Sequence, residues 1–158
     1  MSNTRSISIV KELVTRTQNI VEPDNNTQKT CINSLYLSGV CSVHNQLFIS
    51  SLDKKISGYK NQDVKKGIHD SKTLITREEL LEKLVASKLK CYYCSTTVKI
   101  LYSMARDPVQ WSLDRIDNDM SHTQENTVIT CLDCNLKRRR RDAEKFHFSK
   151  NLTIAKIG

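Results

Sequence analysis

The sequence lacks long apolar runs, and this absence argues against a membrane protein. No stretch approaches the ~20 consecutive apolar residues of a membrane-spanning helix. Residues 1–23 also lack the apolar core of a secretory signal, because Lys11, Glu12 and Arg16 interrupt it. With 38% hydrophobic and 27% charged residues, the composition is that of a soluble globular chain. We therefore expect an intracellular protein, in the cytoplasm or the nucleus, with no membrane partner.

Acidic residues are in short supply. The 158 residues include 17 Asp and Glu against 25 Lys and Arg, which gives a formal net charge of +8 and an isoelectric point near 9.2. Such a surplus favours an anionic partner, and nucleic acid is the commonest one for a small intracellular basic protein. A solvated basic surface without any polyanion has the same composition, so charge alone leaves both alternatives open.

The chain is long enough for one small domain and an extension, but not for two large domains. Residues 1–70 are polar and show no sustained hydrophobic period, apart from a helix predicted over 7–18 that Pro23 would end. The lysine-rich stretch 54–72 is typical of a linker or an exposed loop. We therefore divide the chain into an N-terminal region of unassigned role and a domain over 71–158.

The second half carries clearer signals of secondary structure. Thr76 and Glu79 have the spacing of a capping box and precede apolar residues at helical intervals, which predicts a helix beginning there. Asp107-Pro108 is a turn signal between β-prone segments, and the residues from Asn135 onward favour a final helix. The predicted strands are 98–102, 111–116 and 127–131.

Four of the six cysteines form two CxxC pairs, which are Cys91 with Cys94 and Cys131 with Cys134. In a reducing compartment this pattern indicates a metal site rather than disulfides. Four thiolates suit a tetrahedral zinc ion and leave no open position for water, so the predicted role is structural. The free energy of binding zinc, on the order of 10 kcal/mol, would then be largely free energy of folding. Buried cysteines without a metal are the alternative.

A second set of candidate ligands lies in the N-terminal region. Cys31, Cys41 and His44 could supply three ligands, with His69 as a distant fourth. The gap between the two cysteines is long and one half of the pattern is incomplete, whereas small buried cysteines are common. We therefore favour buried cysteines over a second metal site.

Three motifs between and around the CxxC pairs resemble those of zinc-containing HNH endonucleases. They are WSLDRIDN at 111–118, SHTQEN at 121–126 and CLDCNLKR at 131–138. The resemblance covers about 75–150 and is strongest to the LDRID type and to the short HNH proteins of large cytoplasmic DNA viruses. It implies an α+β fold, namely a small treble-clef-like ββα-metal domain held by the four-cysteine zinc site, with an N-terminal extension of uncertain structure.

The resemblance also implies roles for individual residues. Asp114 and Asn135 match the two protein ligands of a catalytic divalent cation, and their hard oxygens suit Mg²⁺ or Mn²⁺. Asn126 matches the residue whose side chain ties the loop between the strands to its own backbone. Taken singly, Asp114 could equally be a turn carboxylate and Asn135 a helix N-cap.

The general base is not assigned by the resemblance. Most HNH enzymes have His directly after the metal-binding Asp, whereas this chain has Arg115, as in the LDRID branch. A guanidinium stays protonated, so Arg115 can clamp a phosphate but cannot accept a proton from water. His122 in the same loop titrates in the useful range and is the candidate for general base or proton relay. A surface or hydrogen-bonding role is its alternative.

A run of five cations follows Asn135. On a continuous helix these side chains would surround the axis, so two or three of them could grip the phosphates of one DNA duplex. A solvated helix or a nuclear-import signal is the alternative. The candidate nucleic-acid-binding residues are Lys137, Arg138, Arg139, Arg140 and Arg141.

The sequence therefore predicts an HNH-type DNA endonuclease that hydrolyses phosphodiester bonds. The alternatives are a catalytically inactive zinc-containing module that binds nucleic acid, and a viral structural or assembly protein. DNA is the expected partner. A homodimer is compatible with the prediction, because one HNH site cuts one strand.

Overall fold

The computed structural model describes residues 20–41 and 44–152. The helix predicted over 7–18 lies outside these residues. Five helices and one two-stranded sheet make up the regular structure of the described part, so the α+β class is confirmed at this level. In chain order the elements are α1 (Asn25–Ser38), α2 (Asn45–Lys66), α3 (Arg77–Ala86), β1 (Trp111–Arg115), β2 (Thr127–Cys131), α4 (Leu132–Arg138) and α5 (Ala143–Asn151).

Helix α1 begins and ends with standard capping groups. Asp24 accepts a hydrogen bond from the Thr27 N–H at 2.7 Å, which satisfies one of the free donors of the first turn. Gly39 ends the helix in the left-handed conformation, with φ of 72°, which costs glycine little because it has no Cβ. Between the caps, Cys31, Ile32 and Leu35 face the core.

The prediction of a linker or loop over 54–72 is wrong for most of that stretch, because α2 continues to Lys66. Its buried residues Phe48, Leu52, Tyr59 and Asp63 stand four or seven positions apart, which places them on one face. Most of the lysines lie on the exposed faces and give the stretch its polar composition. Lys55 is the exception, since its ammonium packs over the rings of Trp111 and Tyr102. The predicted division of the chain into two regions near residue 70 stays a prediction. Residues from both of these regions belong to one hydrophobic core.

Helix α3 has the predicted capping box. The Glu79 N–H donates to Thr76 Oγ1 at 3.2 Å, and the Thr76 N–H donates to Glu79 Oε2 at 2.9 Å. Leu80, Leu81 and Leu84 are buried, and the helix packs mainly against α1. The helix therefore joins the N-terminal helices to the segment that carries the first CxxC pair.

Strands β1 and β2 pair in antiparallel fashion, with Trp111 opposite Cys131 and Arg115 opposite Thr127. The strand predicted over 98–102 is wrong, since this segment forms only an isolated bridge between Lys99 and Gln110. The backbone groups of Val98 and Lys99 bond to other backbone groups, whereas those of Ile100 and Leu101 bond to the buried side chain of Gln28 on α1.

The Gln28 amide acts as a substitute for a neighbouring strand. Its Oε1 accepts hydrogen bonds from the N–H groups of Ile100 and Leu101 at 2.7 and 3.0 Å. Its Nε2 donates to the carbonyl oxygens of Leu101 and Pro23, both at 3.0 Å. Buried backbone groups need such partners, so a side chain of the N-terminal region completes the structure of the second half.

The single helix predicted from Asn135 onward is divided in two. Helix α4 ends at Arg138, and Arg139 has a φ of 53° that no helix accommodates. Asp142 then caps α5 by accepting from the Lys145 N–H at 3.0 Å. The five cations therefore do not surround one axis.

The core is one cluster of apolar side chains from all five helices, from both strands and from the cysteine turns. Trp111 is fully buried in it, and Phe146 of α5 lies against Tyr93 with ring centroids 4.8 Å apart. Among the described residues, no helix has both the length and the apolarity needed to cross a membrane.

Candidate functional site

The four cysteines of the CxxC pairs come together as predicted. Their Sγ atoms lie within 4.8 Å of one another, and those of Cys94 and Cys131 are 3.8 Å apart. A tetrahedron of sulfurs with Zn–S bonds of about 2.3 Å has edges of about 3.8 Å. The cluster is therefore compatible with a structural zinc site in which the four cysteines fill the coordination shell.

Local structure explains how the sulfurs converge. Cys91 begins a tight turn in which the Ser95 N–H donates to the Cys91 carbonyl at 2.9 Å and Ser95 has a φ of 61°. Cys131 is both the last residue of β2 and the N-cap of α4, and its Sγ accepts from the Cys134 N–H at 3.4 Å. Sheet pairing and helix capping thus hold the second pair beside the first.

The four thiols do not have the same surroundings. A hydrogen bond from Cys131 lowers the pKa of Cys91, whereas burial raises the pKa of Cys134. Zinc binds thiolates, so binding would release the protons that the buried thiols retain.

The second set of candidate ligands does not assemble in the same way. Cys31 and Cys41 are buried, and burial together with the neighbouring Cys31 raises the pKa of Cys41 to about 11. In the part of the chain that the structure describes, the cluster of Cys91 and its three partners is the only group of three or more Cys, His, Asp or Glu residues close enough to share one metal.

A cleft of about 450 Å³ brings together four of the residues singled out in the sequence. Its walls come from α2, from β1 with the loop after it, and from α4 with the turn that follows. The four residues are Asp114, Arg115, His122 and Asn135.

Asp114 is buried at the base of this cleft. Its Oδ2 accepts hydrogen bonds from Tyr93 Oη at 2.6 Å and from Arg138 Nη1 at 2.8 Å. Burial and the bond to this carboxylate raise the pKa of Tyr93, so the phenol remains a donor. These two contacts leave Oδ1 as the oxygen of Asp114 available to a further ligand.

Arg138 is 2% exposed, and all three of its guanidinium nitrogens are engaged. Besides Asp114, its Nη1 reaches the Arg115 carbonyl, its Nη2 donates to the Ile116 carbonyl at 2.9 Å, and its Nε donates to the Arg141 carbonyl at 2.9 Å. The side chain joins the end of α4 to β1. In this arrangement it faces the interior, and not a nucleic acid.

Asn135 presents its amide to the same cleft. Its Nδ2 donates to Ser112 Oγ at 2.6 Å and lies 3.4 Å from the Leu113 carbonyl. The bond to a hydroxyl and a carbonyl orients the amide so that Oδ1 remains as an acceptor. Carboxylate and amide oxygens such as those of Asp114 and Asn135 are ligands that Mg²⁺ and Mn²⁺ prefer in proteins.

His122 is also buried, and its partner comes from the N-terminal region. Its backbone N–H donates to Asp63 Oδ2 at 2.9 Å, and its Nδ1 lies 2.7 Å from Asp63 Oδ1. The ring stacks on Tyr59, with centroids 4.6 Å apart. Burial lowers the pKa of His122, and the Asp63 carboxylate opposes this shift.

The sequence reasoning missed Asp63 and Tyr59. Their four-residue spacing on α2 was a usable signal, because it places both on one helix face. The Tyr59 hydroxyl accepts a hydrogen bond from the Leu113 N–H at 2.9 Å, so it also joins α2 to β1. The composition of the stretch, which indicated a loop, concealed both residues.

The other two candidate catalytic residues, Asn126 and Arg115, contact the loop between β1 and β2. Asn126 Nδ2 donates to the carbonyls of Asp117 and Ser121 at 2.9 and 3.1 Å, and its Oδ1 accepts from the Asp117 N–H at 2.9 Å. Arg115 Nη1 lies 3.4 Å from the Met120 carbonyl and 3.6 Å from Asp63 Oδ1. Asn126 therefore closes the loop upon itself, and Arg115 joins it to α2.

The other four cations of the run at 137–141 line clefts at the surface, whereas Arg138 does not. Arg139 and Arg140 line the cleft of Asp114, together with Lys66 of α2. A neighbouring cleft of about 630 Å³ lies between α4 and α5, and Arg139 lines this one as well. The further cations of the second cleft are Lys137, Arg141 and Lys150.

Comparison of the chain with protein-family models, with curated proteins and with solved structures finds no match.

Proposed function

We propose that the protein is a metal-dependent DNA endonuclease of the HNH type, which hydrolyses phosphodiester bonds in the cleft that contains Asp114. The observation that carries the proposal is the convergence, in one cleft, of an available carboxylate oxygen, an oriented amide oxygen and a buried imidazole. A phosphodiesterase of this type needs ligands for a divalent cation and a base for water.

Asp114 and Asn135 would hold the divalent cation, which when bound would offset the charge that develops on the phosphate oxygens. His122 accepts a proton from the attacking water, whose oxygen forms the new bond to phosphorus. The P–O bond opposite this oxygen breaks, and the leaving oxygen takes up a proton from solvent. Arg115 serves as a phosphate clamp, because its guanidinium remains a cation.

The two basic clefts support DNA as the substrate. Arg139 lines both, so a phosphate backbone that crosses from one cleft to the other meets cations along its path. Contacts of this kind neutralise phosphates and release counterions, and they are independent of base sequence. One cleft holds one set of reacting groups, so cleavage of both strands would require a second copy of the chain or a second binding event.

A second candidate function is supported by the ion pair of Asp114 with Arg138. This cation already neutralises the carboxylate, which weakens the attraction of Asp114 for a divalent ion. A zinc-containing module that binds nucleic acid without cutting it would retain the basic clefts and the cysteine cluster. Salt-sensitive DNA binding without cleavage would favour this candidate, and neither activity would favour a structural or assembly protein.

The deciding experiment is nicking of supercoiled plasmid by zinc-loaded protein in Mg²⁺ or Mn²⁺. The informative variants are Asn135→Ala and Asp114→Asn. Both Asp114→Asn and Asp114→Ala remove the charge that faces Arg138, but Asn keeps an oxygen that can accept from Arg138 and Tyr93. Asp114→Ala would also leave these buried donors without an acceptor, and breaking a buried pair in this way costs about 3–5 kcal/mol.

Asp119→Asn is the matched control, because Asp119 is an exposed carboxylate in the loop that follows β1. We expect nicking by the wild type and by Asp119→Asn, and a loss of at least about 100-fold in the other two variants. Unchanged nicking by folded Asp114→Asn would contradict the assignment of the cleft. A wild type that binds but does not nick plasmid or branched DNA would favour the non-cutting module.

A further inference from the structure

His122 belongs to the motif at 121–126, but its buried partner Asp63 belongs to none of the three motifs. We infer that Asp63 of α2 is a positioning residue, which holds His122 in the tautomer that carries its proton on Nδ1 and so presents Nε2 as the proton acceptor. The role of this tautomer in cleavage rests on the proposed function. The tautomer itself is a property of the folded chain and can be measured without any activity.

Two hydrogen bonds and burial fix the Asp63 carboxylate and the His122 ring relative to each other. Asp63 is 0% and His122 2% exposed. Both carboxylate oxygens are used by the same residue, one on the backbone N–H at 2.9 Å and one on Nδ1 at 2.7 Å. The stacked Tyr59 restricts rotation of the ring. Neither the ring nor the carboxylate can turn without breaking a buried contact.

The chemistry of the pair determines which nitrogen bears the proton. An ionised carboxylate only accepts hydrogen bonds, so the ring atom that faces it must be a donor. The Arg115 guanidinium, which can only donate, lies 3.6 Å from the same Oδ1, so the surroundings of the carboxylate are donors. The neutral imidazole therefore has its proton on Nδ1 and its lone pair on Nε2. His122 lines the cleft of Asp114, where this lone pair can accept a proton from water.

The backbone contact makes a sharp test possible. In Asp63→Asn the His122 N–H still requires an acceptor, so the amide oxygen should face it and the NH₂ group should face Nδ1. Nδ1 then has to accept, and the proton moves to Nε2, which can no longer act as a base. An Asp-to-Asn change of this kind inactivates the serine-protease triad through the wrong tautomer.

The measurement is long-range ¹H–¹⁵N NMR of protein labelled at its histidines. The chain has four histidines, and the signals absent from His122→Gln identify those of His122. We expect the Nδ1–H tautomer in the wild type and the Nε2–H tautomer in Asp63→Asn. Asp53→Asn, on the same helix, is the matched control, because Asp53 pairs with Arg77 at the surface and its loss should leave the tautomer unchanged.

Cleavage assays provide the second readout. We expect Asp63→Asn to lower kcat by about 100-fold or more with little change in KM, while Asp53→Asn keeps wild-type kinetics. Circular dichroism and zinc content verify that both variants fold. An Nε2–H tautomer in the wild type would overturn the inference, as would an Nδ1–H tautomer or wild-type turnover in Asp63→Asn. Absence of cleavage by the wild type would overturn the proposed function alone, since the NMR signals decide the tautomer separately.

Discussion

The two halves of this molecule are organised by different means. The segment from Cys91 to Asn151 has short strands and short helices gathered around a cysteine cluster, whereas the segment before it consists of longer helices with no such cluster among its described residues. The candidate site belongs to both. Asp114 and Asn135 come from the segment around the cysteine cluster, and Asp63 comes from the helical segment before it. Helix α2 thus supplies one wall of the cleft and the buried partner of His122.

Removal of the metal should separate the two halves most clearly. We expect a strong zinc chelator, or Cys94→Ser, to unfold the region around β1, β2 and α4, because on the order of 10 kcal/mol of its folding free energy would come from metal binding. Far-UV circular dichroism and zinc content would measure the loss. Cys31→Ala is the control, since Cys31 lies outside the cluster. A chelated protein with an unchanged spectrum and melting curve would contradict a structural zinc site.

The contact between the halves should be the next most sensitive point. Gln28→Leu would leave the N–H groups of Ile100 and Leu101 buried without their acceptor, and we expect a loss of about 3 kcal/mol in the free energy of unfolding. Urea denaturation would measure it.

Lys29→Ala, at an exposed position on the same helix, is the control for Gln28→Leu and should change the free energy of unfolding by less than about 0.5 kcal/mol. Equal stabilities of the two variants would mean that the 100–101 segment finds other partners, and that the halves are less dependent on each other than the structure indicates.

The smallest expected effect is on the pH dependence of cleavage. It tests the contact between the halves because His122, from one half, pairs with Asp63, from the other. A general base works in its neutral form, so activity is present above the pKa of the base and is lost as pH falls through it. Burial lowers the pKa of His122 below its ordinary value of 6.5, although Asp63 and Asp114 oppose this shift and Arg115 adds to it. We expect the acidic limb of kcat/KM to have its midpoint below pH 6.5.

Steady-state kinetics between about pH 5 and 8 would locate this limb, with zinc content followed at each pH because thiolate ligands also bind protons. An acidic limb centred above pH 6.5 in protein that keeps its zinc would argue against His122 as the base.

Several elements could be predicted because their signals are local. The capping box of Thr76 and Glu79, the strands β1 and β2 and the double CxxC spacing depend on residues close together in the chain, and the structure has all of them. Two errors had a shared cause. The segment 98–102 is β-prone, but Ile100 and Leu101 bond to the side chain of Gln28 instead of to a strand. The helix predicted from Asn135 onward ends at Arg138, whose side chain turns into the interior and pairs with Asp114. In both, a distant polar partner outweighs local propensity.

The sequence by itself determined the cysteine cluster and the motif residues of one side of the cleft, because ligand spacing and short-range periodicity are written in neighbouring positions. Only the tertiary structure decided that Asp63 faces His122, that Arg138 is a buried partner of Asp114, and that the other cations line two clefts. The reason is physical. A buried polar group must find its partner wherever the fold brings one, and Asp63 and His122, which are 59 positions apart in the chain, have no local signal that they will meet.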